Sequence, residues 1–275
     1  MNEELLSHAP NLHVIAQPSV GYDSIDIKAC TKRSIPFGNT PGVLVEATAD
    51  LTFGLVLISA RRIHEGWNFI QEGKWKAQRN IPLGVDLYGK TLGIIGMGSI
   101  GAAVARRAQA FGMEVIYHNR KQRQDEKQIG VEYASFDQLL QRSDFVVVLV
   151  PLSESSRKLF GNEQFCKMKS SAYFINASRG GVVDTEELYE ALVKKEIAYA
   201  ALDVTDPEPL PIDHPLLSLP NILITVPKNI DISVQTQIFY VDPRKKTWHV
   251  KRTEFFTNRV RELRPDTRIK TFVQD

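Results

Sequence analysis

The chain has 275 residues, 43% of them hydrophobic, and a formal net charge of +2. That length supports a well-filled core in one or two domains, and so small a charge gives no reason to invoke nucleic acid or a membrane surface. Two cysteines, Cys30 and Cys166, argue against a disulfide framework and fit a reducing compartment.

The opening MNEELLSHAP is polar and acidic, unlike a signal peptide, and the longest apolar segment, Leu51 to Ala60, is too short for a bilayer. A cytoplasmic chain with no membrane partner is expected. Leu12 to Ala16, between Pro10 and Pro18, reads as a strand. It leads into SVGYDSID, where Gly21 can bring backbone amides toward a ligand and Asp23 or Ser24 can cap a helix over Ile25 to Cys30. Ile35 to Phe37 reads as another strand, closed by the turn cluster Gly38 to Gly42. From Val43 to about Phe69 apolar residues recur every three or four positions, so one long helix is expected. It has more than one face to bury, and a second copy of the chain is one way to bury it. Gln71 to Tyr88 is loop-like, with Trp75 as an apolar anchor.

Lys90 to Arg123 (KTLGIIGMGSIGAAVARRAQAFGMEVIYHNRKQR) carries the strongest pattern. A short apolar run meets Gly96, Gly98 and Gly101, an Ala-rich segment follows, and a second apolar run ends in polar residues. The spacing predicts strand, turn, helix, strand, with Gly96 for the turn, Gly98 for close approach to a pyrophosphate and Gly101 for helix-on-strand packing. The helix N-terminus then offers its unpaired N–H groups to the phosphates. An NAD site wants an acid after the second strand, whereas an NADP site wants cations for the 2′-phosphate. His118, Asn119, Arg120, Lys121 and Arg123 stand there, with no acid before Asp125, so NADP(H) is favoured over NAD(H).

Beyond this unit the elements alternate as a parallel sheet requires. Ser135 and Gln138 make a capping pattern for a helix to Gln141, Phe145 to Val150 is an unbroken apolar strand, and Phe165 to Met168 a short helix. Ala172 to Asn176 is another strand, Asp184 and Glu187 open a helix to about Lys195, and Tyr199 to Val204 and Ile222 to Thr225 complete roughly six strands. This is the logic of a doubly wound α/β fold, with ligand outside the carboxyl ends of the strands. Arg179 sits at one such end before Gly180 and Gly181, where a guanidinium can clamp a carboxylate through two parallel hydrogen bonds. Asp203 ends the next strand, and Asp206 and Glu208 lie in the proline-framed loop Thr205 to Pro209, where a carboxylate could orient a histidine.

With these residues assembled, the chain resembles the D-isomer-specific 2-hydroxyacid dehydrogenases, within them the glyoxylate/hydroxypyruvate reductases. The matching pieces are SVGYDSID, NTPGVLVEATAD, GKTLGIIGMGSIG, VPLSESSRKLF, INASRGGVVDTEEL, ALDVTDPEPLP and HPLLSLPNILIT, running from about Leu5 to Thr225. The resemblance implies a Rossmann-type doubly wound parallel sheet over residues 81–225, preceded by a partial flavodoxin-like substrate domain over 1–80. It implies NADPH-dependent reduction of a small 2-keto acid to the D-2-hydroxy acid, and a homodimer. Val20 and Gly21 would help hold the substrate carboxylate, Arg179 would pair with the keto acid and Glu208 would be the acidic partner in a relay. Ser99, Ile100 and Pro151 would join the glycines on the cofactor, Asn119, Arg120 and Arg123 would meet its ribose phosphate, and Ala177 and Asp203 would line the nicotinamide pocket. No metal is implied.

Two departures follow from the same match. The family begins some tens of residues earlier, which leaves the substrate domain short. The family's Pro-His-Ile segment, whose histidine is the general acid, is replaced here by Val226-Pro227-Lys228-Asn229-Ile230. His214, in an HPL turn, is a loop residue, and a lysine near its ordinary pKa is a poor acid at neutral pH. A catalytically impaired NADP(H)-binding or regulatory protein is therefore the alternative. From Val226 onward the match stops: residues 226–275 hold 11 Lys or Arg against 6 Asp or Glu, with aromatics but no clear strand or helix period. An exchanged terminal exon is one origin of such a break.

Overall fold

The computed structural model describes residues 1–17, 19–77, 83–225, 237–242 and 247–252, and for 76–77 and the last two stretches the backbone alone. Contacts divide the chain into two units, Met1–Leu44 with Asn229–Asp275, and Val45–Lys228.

In the first unit a short helix α1 (Glu3–Ser7) is followed by β1 (Ile15–Ala16), α2 (Ile27–Lys32) and β2 (Phe37–Gly38), with β1 and β2 parallel. Leu6, Ile15, Ile25, Ala29, Cys30 and Ile35 form its core. The cap of α2 is Asp26, whose side chain accepts from Ala29 N–H at 2.9 Å, and not Asp23 or Ser24 as expected. Ile25 N–H instead closes a turn onto Tyr22 O, which moves the helix start two residues on.

The second unit opens with α3 (Val45–Arg61) and α4 (Ile63–Gln71), so the single helix expected from Val43 to Phe69 is in fact two. Arg62 breaks it in the left-handed region at φ 52°, its guanidinium bonded to Glu65, while Val85 N–H takes Ala60 O at 2.8 Å. No proline or glycine marks this break, because a returning segment makes it. Helix α3 packs on the sheet and on the helix that follows the glycine turn, which is why the contact boundary lies at 44/45 rather than at the expected 80/81.

The sheet elements then run β3 (Thr91–Ile95), α5 (Ser99–Ala110), β4 (Glu114–His118), α6 (Glu126–Ile129), β5 (Glu132–Tyr133), α7 (Phe136–Arg142) and β6 (Phe145–Val148). They continue through α8 (Asn162–Lys167), β7 (Tyr173–Asn176), α9 (Thr185–Val193), β8 (Tyr199–Leu202) and β9 (Ile222–Ile224). All seven strands are parallel in the order β5-β4-β3-β6-β7-β8-β9. One more strand is present than expected, since β5 has only two residues and no apolar run to announce it. The expected capping box at Ser135 and Gln138 is present, and Asp184 caps α9 by accepting from Glu187 N–H.

Burial explains the apolar runs. Alternate residues of β6 enter different cores: Phe145 and Val147 pack with Phe53, Val56 and Val104, whereas Val146 and Val148 pack with Leu139, Phe165 and Leu188. Both faces are covered by helices, so each strand position is apolar. Reversal of strand order beside β3 places the carboxyl ends of β3 and β6 next to each other, the usual ligand position in such sheets.

The tail holds β10 (Gln237–Asp242) and β11 (Thr247–Arg252), an antiparallel pair with Gln237 opposite Arg252 and Asp242 opposite Thr247. No clear period announces this pair in the sequence, but QIFYVD and TWHVKR are rich in β-branched and aromatic residues, which favour strands. Val226 to Ile230, including Lys228, lies outside the described residues. Among the described residues no helix is long and apolar enough to cross a membrane.

Candidate active site

The glycine turn comes first because it sets where a ligand can approach. Gly96 adopts φ +100°, and a Cβ there would lie 2.8 Å from Leu149 C and 2.9 Å from Val150 N, so only glycine fits without strain. A Cβ on Gly101 would lie 2.7 Å from Gly96 O, which is how closely α5 follows the turn. A Cβ on Gly98, by contrast, meets nothing within 4 Å, and Gly98 caps α5 without a side-chain bond. Ser99 is exposed and Ile100 half-buried at that end. Open space before an uncapped twelve-residue helix fits a pyrophosphate, which would take the unpaired N–H groups.

The end of β4 is tied to this turn. Met97 N–H donates to Asn119 Oδ1 at 2.7 Å, Asn119 Nδ2 donates back to Met97 O at 3.3 Å, and Arg123 Nη1 donates to the same carbonyl at 2.9 Å. Arg120 is exposed. Arg123 also makes a two-bond pair with Asp125, Nε to Oδ1 at 2.8 Å and Nη2 to Oδ2 at 2.6 Å. That pair holds the Asp125 carboxyl below the usual carboxylate range. Asn119 and Arg123 are thus brought to the glycine turn, though the sequence, in which Asp125 is only the first acid after the basic run, says nothing of its pairing with Arg123.

The carboxyl ends of β7 and β8 form the other half. Asn176, buried at the end of β7, accepts from Ser178 N–H at 3.0 Å and from Ser178 Oγ at 2.8 Å, and its Nδ2 donates to Arg179 O at 3.0 Å. This one side chain shapes the loop that carries Ala177 and Arg179. Sequence reading passed over it as a strand residue, although a polar residue closing an apolar strand was the available signal. Arg179 is half-buried, and its Nη1 donates to Ser178 O at 2.8 Å. Gly180 lets the β8 loop come close, since a Cβ there would lie 1.9 Å from Thr205 O and 2.6 Å from Asp206 N.

Asp203 follows β8, with its N–H on Asn176 O at 3.0 Å. Burial pushes its carboxyl above the ordinary range, partly opposed by the Thr225 hydroxyl, which donates to Oδ1 at 2.7 Å. Glu208 is exposed farther along the same loop, and Pro151 is exposed after β6. His214 accepts from Leu216 N–H through Nδ1 and faces Glu186 through Nε2 at 3.2 Å, so its ring organises a turn. In the first unit, Ser19, Val20 and Gly21 each direct the carbonyl inward, to Thr40 N–H, Asn39 Nδ2 and Ser19 Oγ respectively. Among the described residues none takes the N–H of Val20 or Gly21.

A seven-stranded parallel sheet with a Gly-x-Gly-x-x-Gly turn at its centre defines a Rossmann-type nicotinamide-dinucleotide domain. Residues 53–226 match the model of the D-isomer specific 2-hydroxyacid dehydrogenase, NAD binding domain. The glyoxylate reductase of Korarchaeum cryptofilum is 50% identical over 227 residues, covering 82% of this chain and 68% of that protein. Solved structures are similar as well. The NADPH-dependent glyoxylate/hydroxypyruvate reductase of Sinorhizobium meliloti, in complex with NADP and malonate, gives a TM-score of 0.75 at 34% identity, over 81% of this chain and 69% of that one. The D-lactate dehydrogenase of Aquifex aeolicus, complexed with NAD and lactic acid, gives 0.76 at 32% identity, over 86% and 75%. The chain belongs to the D-isomer specific 2-hydroxyacid dehydrogenase family, and by class it is an NAD(P)-dependent dehydrogenase.

Proposed function

We propose that the chain reduces a small 2-keto acid of the glyoxylate or hydroxypyruvate type to the D-2-hydroxy acid, with NADPH as the preferred reductant. The observation that carries the cofactor half is the junction at Met97, where Asn119 and Arg123 are both bonded to the glycine turn. A nicotinamide cofactor bound there would supply hydride. The N–H groups of α5 would take the pyrophosphate, and Arg120 and Arg123 would meet the 2′-phosphate. Arg179 would clamp the substrate carboxylate and polarise the keto group. Ala177 and Asp203 would border the nicotinamide, and Glu208 would serve as the acidic partner of a proton donor. The named relatives support this substrate class.

The absence of histidine from residues 226–230 favours a second reading, a cofactor-binding chain of low turnover. Loss of a general acid typically lowers a rate by about 10² to 10⁴ without touching cofactor binding. Titrating the purified chain with NADPH and NADH by fluorescence, then adding glyoxylate and following nicotinamide absorbance, separates the two. The expected result is tighter NADPH than NADH binding, with steady oxidation on adding glyoxylate. Binding without oxidation selects the second reading, and preference for NADH overturns the cofactor choice.

The proposal includes a homodimer in a cytoplasmic setting. Ile63, Trp67 and Ile70 lie on one face of α4 at spacings of four and three, with exposures of 55%, 60% and 41%. An apolar stripe of that kind on one helix is suited to a second copy. Sedimentation is expected to show a dimer at micromolar concentration that Trp67→Glu converts to monomer; a monomeric wild type rejects this pairing. Both cysteines are free, which fits a reducing compartment.

A further inference from the structure

We infer that Asp125 sets the cofactor selectivity of this site, by holding Arg123 in an internal ion pair that a 2′-phosphate must share or displace. The inference rests on the NADP(H) reading above and names a residue that tunes it.

Arg123 has anchors other than Asp125. Its backbone N–H donates to Tyr117 Oη at 2.8 Å, and Tyr117 in turn donates to Glu126 Oε2 at 2.9 Å. Gln122 Nε2 holds the other oxygen of that carboxylate at 2.8 Å, and Arg123 Nη1 is anchored on Met97 O. Asp125 takes the remaining edge of the guanidinium, through Nε and Nη2. What Asp125 adds to a residue already held by its backbone N–H and by Nη1 is therefore chiefly charge. It places a carboxylate on the cation that the sequence assigns to the 2′-phosphate.

The chemistry is competitive. A guanidinium recognises phosphate with the same planar fork that it offers a carboxylate. An anion next to a phosphate site also repels the phosphate directly. NADH carries only hydroxyls on that ribose and is indifferent to the competition. Asp125 thus lowers NADPH affinity while leaving NADH affinity in place, which narrows the gap between the two cofactors. The pair is partly exposed, with 27% of the Arg123 and 41% of the Asp125 side chain accessible, so solvent moderates the effect.

The test is fluorescence titration of the full chain and of Asp125→Asn, Asp125→Glu and Arg123→Ala with NADPH and NADH, at two salt concentrations. Asp125→Asn is expected to tighten NADPH binding about three- to tenfold with NADH changed less than twofold, and the gain shrinks at high salt. Asp125→Glu is expected to keep the wild-type ratio, and all variants to melt with the wild type. Weaker NADPH binding in Asp125→Asn overturns the inference, because it makes Asp125 a positioning residue for Arg123. Equal shifts for both cofactors overturn it as well. If Arg123→Ala weakens NADPH alone while Asp125→Asn changes nothing, the inference fails and the cofactor reading stands. If Arg123→Ala leaves both cofactors unchanged, the cofactor reading itself fails.

Discussion

Replacing Arg179 by glutamine is expected to lower kcat/KM for glyoxylate by about 10² to 10⁴, measured with NADPH saturating. A guanidinium on a carboxylate makes two charge-assisted hydrogen bonds, each worth about 1.5–3 kcal/mol. Glutamine offers one neutral donor, so about 3–5 kcal/mol of transition-state binding is lost, which is that fold-change. The loop itself survives, since Asn176 holds it through the Arg179 carbonyl and through Ser178, contacts that do not use the guanidinium. NADPH affinity is accordingly expected to remain within about twofold, because the proposed pyrophosphate site lies at β3 and α5. Arg179→Lys restores little, as a point charge lacks the fork. A kcat/KM within threefold of wild type in Arg179→Gln removes this residue from the site.

Gly180→Ala is expected to unfold first among single-methyl additions near the site. The new Cβ would lie 1.9 Å from Thr205 O and 2.0 Å from Thr205 C, both backbone atoms. Neither can retreat alone, because Asp203 N–H is on Asn176 O and the Thr185 hydroxyl donates to Asp206 O at 2.6 Å. Overpacking of this kind costs typically 1–3 kcal/mol, and three backbone clashes put Gly180 at about 3 kcal/mol. For a domain of this size that lowers Tm by about 6–12 °C. Gly98→Ala is the matched control: its Cβ meets no protein atom within 4 Å, so Tm is expected to hold while cofactor affinity falls. Co-melting of Gly180→Ala with the wild type would show that the two loops part more readily than their bonds indicate.

How much of this could be read beforehand differs from element to element. The β3-α5-β4 unit was legible because its three glycines each meet a local demand of the backbone, and because a helix period between two apolar runs has few other interpretations. Arg179 and Asp203 were legible as strand-end residues. The break between α3 and α4 was not, since Arg61 and Arg62 are ordinary helix formers. The capture of Ala60 O by Val85 decides it, across some two dozen residues of chain. Strand β5 was missed because two residues joining a sheet edge carry no period. The tail pair β10 and β11 was missed because a basic composition masked a β-branched and aromatic one.

The site divides in the same way. Asn119, Arg120 and Arg123 stand out in the sequence as a run of donors where an acid is missing. That Arg123 is bonded at once to Met97 O and to Asp125, and that Asn176 rather than any glycine holds the Arg179 loop, cannot be read from neighbours in sequence. By itself the sequence determined the family, the doubly wound α/β class and the dinucleotide turn, because backbone conformation and hydrophobic period are written in adjacent residues. Tertiary structure alone decided strand order, the helix break and the partners of each charged side chain. Those outcomes depend on which of several competing acceptors packing brings within about 3 Å.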